Sequence, residues 1–368
     1  MMELRAAILL SRQPMRPTAK STWIQKSKEA IHWIVENGFS SIYTSIGMST
    51  WELLIVLASQ NKVHQYILIP ANNIEHFHSL CQSTAYQFKL DKTMVEFMPV
   101  FPDKDRTSRN DLMQKRDKTV FENADVLLPV SIRQNGFMDR LVSEFSNKRI
   151  KQNFQVPYEK HTAPLSYRID RKKLSQKIKD IRTDQYIIHW TRTANSAWPT
   201  ERLCDYYTSI LEADTYPRSA LATLKNIMET KRIIASSKHM PKKIASVSFS
   251  SLSPYEMTPL IRWRARYLQM SFEPYGIGIE SQYALDSNIY PVRYYDKKSY
   301  HNLSKNDSWL YQSTGIKTDW RVEHEFRYRG DFNLSLIPIN KLICFCFNEN
   351  EAATLENLYD IRTLAFIW

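Results

Sequence analysis

The stretch Ala6-Ala7-Ile8-Leu9-Leu10 is apolar throughout, and a helical segment from Lys20 to Glu36 follows it. The pair Asn37-Gly38 is a typical stop signal for that helix. Four further apolar runs followed by helical segments occur at 41–44, 66–69, 95–100 and 125–130. Because strands that are buried on both faces are apolar throughout, this alternation predicts an α/β domain with an open parallel sheet.

The second half of the chain has a different order of predicted elements. Helices are predicted at 200–211, 218–230 and 255–270. Strands are predicted at 186–191, 233–236, 244–250, 277–280, 290–294, 321–328, 334–337 and 342–347. Strand-rich order with few interleaved helices predicts an α+β domain with a mostly antiparallel sheet.

A basic connector separates the two halves. Between Lys148 and Arg182 the sequence holds eleven basic residues but three acidic ones, and Pro157 and Pro164 interrupt any long helix. A length of 368 residues fits two domains. We therefore predict an N-terminal domain at 1–147, the connector at 148–184 and a C-terminal domain at 185–368.

Composition excludes several classes of protein. Only seven glycines occur, and no two have the spacing of a P-loop or of a G-x-G-x-x-G dinucleotide fingerprint. No apolar run reaches the 18 or so residues of a transmembrane helix, and the N-terminus lacks the pattern of a signal peptide. The four cysteines form no C-x-x-C pair, so no metal site is evident. Few cysteines and no export signal predict a cytoplasmic protein.

The net charge of +12 favours a polyanionic partner, with DNA preferred, and the alternative is a basic protein without such a partner. In the helix predicted at 255–270, arginines alternate with aromatic residues, a combination that suits phosphates and unpaired bases. Trp263 and Tyr267 are also spaced as in the buried face of a helix. The residues that we assign to nucleic acid are Lys172, Lys173, Lys177, Lys242, Lys243, Arg262, Arg264 and Arg266.

Three loops of the N-terminal domain are expected at the carboxyl ends of its strands, where open parallel sheets bind ligands. Hydroxyl groups, arginines and a helix N-terminus at this edge suit a phosphate or a nucleotide, although an inert scaffold would look similar. The candidate ligand-binding residues are Ser11, Arg12, Ser45, Gly47 and Arg133.

The run Arg116-Asp117…Ala124–Val130, the following Arg133…Gly136 and the segment Thr44–Leu57 resemble the SLOG/LOG-like Rossmannoid nucleotide-binding domains. The resemblance covers about 140 residues. It implies a nucleotide ligand in the N-terminal domain. The glycine pair that is usual in the second loop is reduced here to Gly47.

Three strand motifs characterise the C-terminal domain. They are Ile-Ile-His-Trp-Thr-Arg at 187–192, Ala-Ser-Val-Ser-Phe-Ser-Ser at 245–251 and Trp-Arg-Val-Glu-His-Glu-Phe-Arg at 320–327. In the third motif, alternation along a strand places Glu323, Glu325 and Arg327 on one face. This order of motifs resembles the ADP-ribosyltransferase-like fold, as found in domains of phage-defence loci that end in a W-x-x-E-x-E-x-R strand.

The resemblance implies that NAD is the cofactor and gives each motif a role. His189 or Arg192 would hold the ribose and phosphates on the adenylate side, and Ser248 and Ser250 would order the pocket. Taken alone, His189 also fits an interior histidine with satisfied hydrogen bonds.

Under the same resemblance, Glu325 would hold the nicotinamide ribose and stabilise the transition state, and Glu323 would select or activate the acceptor. Cleavage of an N-glycosidic bond builds positive charge on a sugar, which a fixed carboxylate stabilises. The alternative is that both carboxylates form ordinary surface ion pairs with Arg327 and Arg329.

Three functions remain open from the sequence. The leading one is an ADP-ribosyltransferase-like enzyme that acts on nucleic acid or a nucleotide, in phage defence or DNA modification. The second is an NAD-independent enzyme that modifies a base in DNA or RNA, with Glu323 and Glu325 as acid and base. The third is a binding module without catalysis.

Overall fold

The computed structural model describes residues 4–103, 108–238, 240, 243–296, 299, 304, 306–314 and 319–367. The chain forms two compact units. Unit 1 comprises Met1–Ala163 and Ser196–Pro217, and unit 2 comprises Pro164–Asn195 and Arg218–Trp368.

In the described part of unit 1, a six-stranded parallel sheet carries the core. Its strands are β1 (Arg5–Leu10), β2 (Ser41–Ser45), β3 (His64–Pro70), β4 (Val95–Val100), β5 (Val126–Ser131) and β6 (Arg149–Ile150). The helices between them are α1 (Thr22–Glu36), α2 (Ser49–Gln60), α3 (Ile74–Phe88), α4 (Arg109–Asn123) and α5 (Phe137–Glu144). The predicted open parallel sheet of the N-terminal half is confirmed.

The strand order of this sheet is β4-β3-β2-β1-β5-β6, and every pair is parallel. Strands β2, β3 and β4 lie on one side of β1, and β5 and β6 lie on the other side. The strand order therefore reverses between β1 and β5, and ligands commonly bind at such a point in folds of this kind. Residues 6–10 of β1 are fully buried, which explains why that stretch is apolar at every position.

Two segments depart from the predicted division into 1–147, a connector at 148–184 and 185–368. Within 148–184, α6 (Gln176–Lys179) and its neighbours bury Leu174 and Ile178 in the core of unit 2, so this stretch is not a free connector. Helix α7 (Leu203–Glu212) buries Tyr207 and Ile210 in the core of unit 1, because its apolar face packs against α2 and α3.

Unit 2 is built, in its described part, around a seven-stranded sheet. Its strands are β7 (Tyr186–Trp190), β9 (Ser246–Ser250), β12 (Gly276–Glu280), β13 (Tyr290–Pro291), β16 (Glu325–Arg329), β18 (Leu342–Asn348) and β19 (Thr363–Ile367). Short strand pairs lie outside it: β8 (Arg232–Ile233) with β17 (Phe332–Asn333), β10 (Trp263–Arg264) with β11 (Gln269–Met270), and β14 (Arg293–Tyr295) with β15 (Tyr311–Ser313). The helices are α6, α8 (Ala220–Thr230), α9 (Pro254–Met257), α10 (Ser281–Asp286) and α11 (Glu349–Tyr359).

The order of the large sheet is β13-β16-β9-β7-β12-β18-β19. All its pairs are antiparallel except β18 with β19, which the helix α11 connects as a parallel crossover. The predicted mostly antiparallel α+β architecture is therefore confirmed, with one parallel pair at the edge.

Several predicted elements of unit 2 are wrong. The helix expected at 255–270 ends at Met257 in α9, and residues 263–270 form the hairpin β10–β11. The strand expected at 321–328 begins at Glu325, because 320–323 form a 3-10 turn that ends on His324 in the left-handed conformation. Residues 334–336 also form a 3-10 turn rather than a strand.

Candidate functional site

The central feature of unit 2 is a cleft between β7 and β9. These two strands pair only at Ile188 and Ser250, and the ring Nδ1 of His189 lies 2.8 Å from the Ser248 carbonyl oxygen. A cavity of about 180 Å³ opens there, and Glu325 of β16 reaches into it. Its lining also includes Trp190, Arg192, Phe249, Arg264, Ser271, Phe272 and Glu323.

Glu325 is held rigidly in this cleft. Its Oε1 accepts hydrogen bonds from the Ser248 hydroxyl at 2.8 Å and from Arg327 Nε at 2.8 Å, and its Oε2 accepts one from Arg327 Nη2 at 3.0 Å. The register that pairs Glu325 with Ser250 and Arg327 with Ser248 brings these side chains together. The carboxylate is therefore fixed before any ligand arrives.

Arg327 is a buried clamp rather than a surface charge. Its side chain is 2 % exposed and that of Glu325 is 14 % exposed. The Nη1 group donates to the carbonyl oxygens of Trp309 and Tyr311, and Nη2 also donates to Gln312 at 2.6 Å. The alternative of an ordinary surface ion pair does not fit this burial.

Glu323 occupies the same cleft but does not lie on the strand. Its carboxylate accepts a bond from Arg264 Nη2 at 3.2 Å. Burial raises the pKa of Glu323, and the nearby charge of Glu325 raises it further, whereas Arg264 and Arg192 lower it. The Glu323 carboxylate therefore takes up a proton more readily than an exposed glutamate does.

His189 presents one acceptor to the cleft. Because a carbonyl oxygen can only accept, the contact with Ser248 places the ring proton on Nδ1 and leaves Nε2 unprotonated. Burial lowers the pKa of His189 to about 4, although the backbone contact with Ser248 opposes this change. The neutral ring can therefore accept a hydrogen bond from a ligand hydroxyl or amide.

Two further predicted residues have different surroundings. Arg192 is exposed at the mouth of the cleft, and within the described residues its guanidinium has no hydrogen bond or ion pair. Ser250 is buried, and its hydroxyl donates to the Glu323 carbonyl oxygen at 2.7 Å and accepts from Leu252 N–H. Ser250 thus anchors the backbone of the Glu323 turn.

Arg264 belongs to the cleft, although the sequence assigned it to nucleic acid. Its Nε donates to the Ser271 hydroxyl at 2.6 Å, and its guanidinium lies 5.1 Å from the centre of the Trp320 ring. The neighbouring Arg262 and Arg266 are exposed. Arg264 therefore lines the cleft, whereas Arg262 and Arg266 lie on the surface.

Four of the five lysines assigned to nucleic acid are on the surface of unit 2. Lys172, Lys173 and Lys177 are exposed, and so is Lys243. Lys242 lies outside the described residues.

In unit 1, the structure brings Ser11, Arg12 and Arg133 to the β1/β5 edge but not Ser45 or Gly47. The Ser11 hydroxyl accepts a bond from Arg133 N–H at 2.9 Å, and the side chains of Arg12 and Arg133 are exposed at the β1/β5 edge. Ser45 is buried and donates to the Leu68 carbonyl oxygen at 2.7 Å. The Ser45 hydroxyl therefore forms its hydrogen bond within the sheet and does not face a ligand site.

The loop around Gly47 already holds a carboxylate. Gly47 N–H donates to Glu52 Oε1 at 3.1 Å, and Tyr207 donates to Oε2 at 2.6 Å. This negative charge stands in the first turn of α2, where a bound phosphate would otherwise sit. The geometry therefore does not favour a phosphate beside Gly47.

Two cavities lie at the carboxyl ends of the strands of unit 1. One of about 790 Å³ is lined by Arg133, Tyr158 and Lys160, and another of about 690 Å³ is lined by Glu52, His76 and Arg109. Within the described residues, no helix is long and apolar enough to cross a membrane, and no cluster of His, Cys, Asp or Glu could hold a metal ion.

The sequence analysis gave no functional role to two residues at this site. Arg327 entered its alternatives only as a partner in a surface ion pair, although its place two residues after Glu325 on a strand creates the clamp. Trp190 was not selected, and its indole N–H is buried without a hydrogen-bond partner in the described part of the chain.

Comparison with known proteins adds little to this geometry. No family model and no curated protein matches the chain. A solved structure of DNA processing protein A from Helicobacter pylori, described for its single-stranded DNA binding mode, matches with a TM-score of 0.28 and 16 % identity. The match covers 40 % of this chain and less than two thirds, 64 %, of the other chain. A likeness this weak carries no argument about function.

Proposed function

We propose that unit 2 is an ADP-ribosyltransferase-like enzyme that takes NAD as donor and nucleic acid as acceptor. The observation that carries this proposal is the convergence of His189, Ser248 and Glu325 from three separate strands on one cleft. Three sequence motifs that are far apart in the chain meet there, which a chance surface arrangement does not explain.

The donor set of the cleft fits a nucleotide with a ribose and a heterocycle. A cavity of about 180 Å³ admits one ring, so the rest of a dinucleotide would lie outside it. The unprotonated Nε2 of His189 is an acceptor for a hydroxyl, and the exposed guanidinium of Arg192 suits a phosphate.

When bound, NAD supplies a ribose whose bond to nicotinamide breaks with the electron pair leaving on the nicotinamide nitrogen. The role of Glu325 is to stabilise the positive charge that develops on that ribose. Ser248 and Arg327 hold its carboxylate in place, so little reorganisation is needed at the moment of reaction.

Glu323 is the group that serves the acceptor. Its raised pKa suits the uptake of a proton from an attacking hydroxyl or amine, and Arg264 keeps the carboxylate in position. The new bond forms between the acceptor atom and the ribose carbon that nicotinamide leaves.

Nucleic acid is the acceptor in this proposal because unit 2 carries several exposed cations. Lys172, Lys173, Lys177, Arg262 and Arg266 are all exposed and suit a phosphate backbone. In unit 1, we propose a nucleotide site at the β1/β5 edge, where Ser11 and Arg12 follow β1 and Arg133 follows β5. A role in antiviral defence stays a prediction from the sequence.

The test is nicotinamide release from NAD by the purified full chain, with and without DNA. The wild type should release nicotinamide, and Glu325→Gln should lower the rate about 100-fold or more. Lys92→Gln, at an exposed position of unit 1, is the control and should leave the rate unchanged. Base modification without NAD consumption would favour the NAD-independent enzyme. DNA binding without any turnover would favour the binding module.

A further inference from the structure

Trp190 carries a buried polar group that no described residue satisfies. Its side chain lines the cleft and is 7 % exposed, and its Nε1–H finds no acceptor among the described residues. The ring is held against Phe345 and Phe366, with centroids 5.5 and 6.1 Å away. An indole N–H can only donate, and a buried donor without an acceptor is destabilising.

We infer that the indole N–H of Trp190 donates to the carboxamide oxygen of the nicotinamide ring, an inference that rests on the proposed use of NAD. Trp190 would then be the residue by which the cleft recognises the leaving group. Trp190 belongs to the first strand motif, and the resemblance gives it no role.

The surroundings favour a neutral oxygen over a phosphate. Trp190 lies among Ile188, Phe345 and Phe366, and a phosphate in such surroundings would lose its hydration without a cation to replace it. The exposed guanidinium of Arg192 offers a phosphate a better site at the mouth. A carbonyl oxygen satisfies the indole N–H at a smaller desolvation cost.

The experiment compares binding of NAD and of ADP-ribose, which lacks the nicotinamide, to the full chain. Trp190→Phe keeps the aromatic packing and removes the donor. We expect it to weaken NAD about tenfold, the effect of one neutral hydrogen bond, and to leave ADP-ribose unchanged. Any fall in the melting temperature should come from the smaller ring alone, because the deleted donor makes no bond to a described residue. Trp23→Phe in unit 1, which also removes a buried indole, is the control and should change neither affinity.

Equal weakening of both ligands, or no weakening of NAD, would overturn the role of Trp190. If Trp190→Phe does not fold, wild-type binding of NAD is compared with that of an analogue whose pyridine lacks the carboxamide. A roughly tenfold weaker analogue supports the inference, and equal affinity overturns it. Wild-type protein that binds neither NAD nor ADP-ribose would instead refute the proposed function itself.

Discussion

Replacing Glu325 with glutamine separates two consequences of the same carboxylate. The change removes the charge that faces the cleft and also the partner of a guanidinium that is only 2 % exposed. Glutamine keeps one acceptor oxygen, so it cannot serve Ser248 and both donors of Arg327 as the carboxylate does. Stability and turnover should therefore both fall.

The loss of stability follows from the burial of the pair. Removing one partner of a buried ion pair costs about 3–5 kcal/mol, and the retained oxygen and the 14 % exposure of Glu325 favour the lower end. A loss of about 3 kcal/mol in a domain of this size lowers the melting temperature by roughly 6–12 °C. Thermal unfolding followed by calorimetry measures it.

Two control variants separate the effect of Glu325→Gln on stability from its effect on activity. Arg327→Gln breaks the same pair but leaves the carboxylate beside Ser248, so it should be equally destabilised and lose less activity below its melting temperature. Glu280→Gln removes one partner of the exposed pair with Lys341 and should cost less than about 1 kcal/mol. A melting temperature of Glu325→Gln within a degree or two of the wild type would refute the buried clamp.

Three further predictions test other parts of the account. The pKa of His189 is about 4 in the folded protein and about 6.5 in the unfolded chain. Between these values the unfolded chain binds more protons, so the free energy of unfolding falls as the pH drops from 6.5 to 4. His189→Gln should reduce that fall in pH-dependent unfolding, whereas the exposed His32→Gln should not. Changing Lys172, Lys173 and Lys177 together to glutamate should weaken DNA binding and reduce its dependence on salt. The control, Lys62→Glu with Lys92→Glu in unit 1, should change neither, and equal salt slopes for the two variants would contradict the assignment of these lysines to nucleic acid. Gly276→Ala should destabilise the protein by about 1–3 kcal/mol, because the added Cβ would lie 2.8 Å from the His189 carbonyl oxygen, and an unchanged unfolding free energy would contradict the tight strand packing.

The fold of unit 1 was accessible from the sequence because its strands are buried on both faces. Runs such as Ala6–Leu10 leave little choice of element type, and their spacing fixes the parallel connections. In unit 2 the alternating serines of β9 likewise indicated a strand whose polar face holds Ser248 toward Glu325.

The hairpin β10–β11 could not be found from local pattern. Trp263 and Tyr267 are four residues apart, which suits a helix, but Leu268 adopts a left-handed conformation and Arg264 is drawn to Glu323 and Ser271. The contact with Glu323 joins residues that are 59 positions apart in the chain. Tertiary contacts therefore override the local spacing here.

The geometry of the two glutamates was also beyond the sequence. A continuous strand would have placed Glu323 and Glu325 on one face by period two, but the left-handed His324, with φ of 43°, breaks the alternation. Both carboxylates still reach one cleft, because Ser250 and Arg264 hold the turn that carries Glu323. The sequence therefore predicted that Glu323 and Glu325 share one site, but it did not predict the turn that carries Glu323.

The most direct test of the central claim is transfer of label from NAD, labelled in its adenylate half, to DNA by the purified full chain. The account predicts that label appears covalently on DNA with the wild type and in step with nicotinamide release. With Glu325→Gln, assayed below its melting temperature, DNA labelling should fall by about 100-fold or more. Labelling by Glu325→Gln at the wild-type rate, or no labelled DNA with the wild type although NAD binds in the cleft, would contradict it.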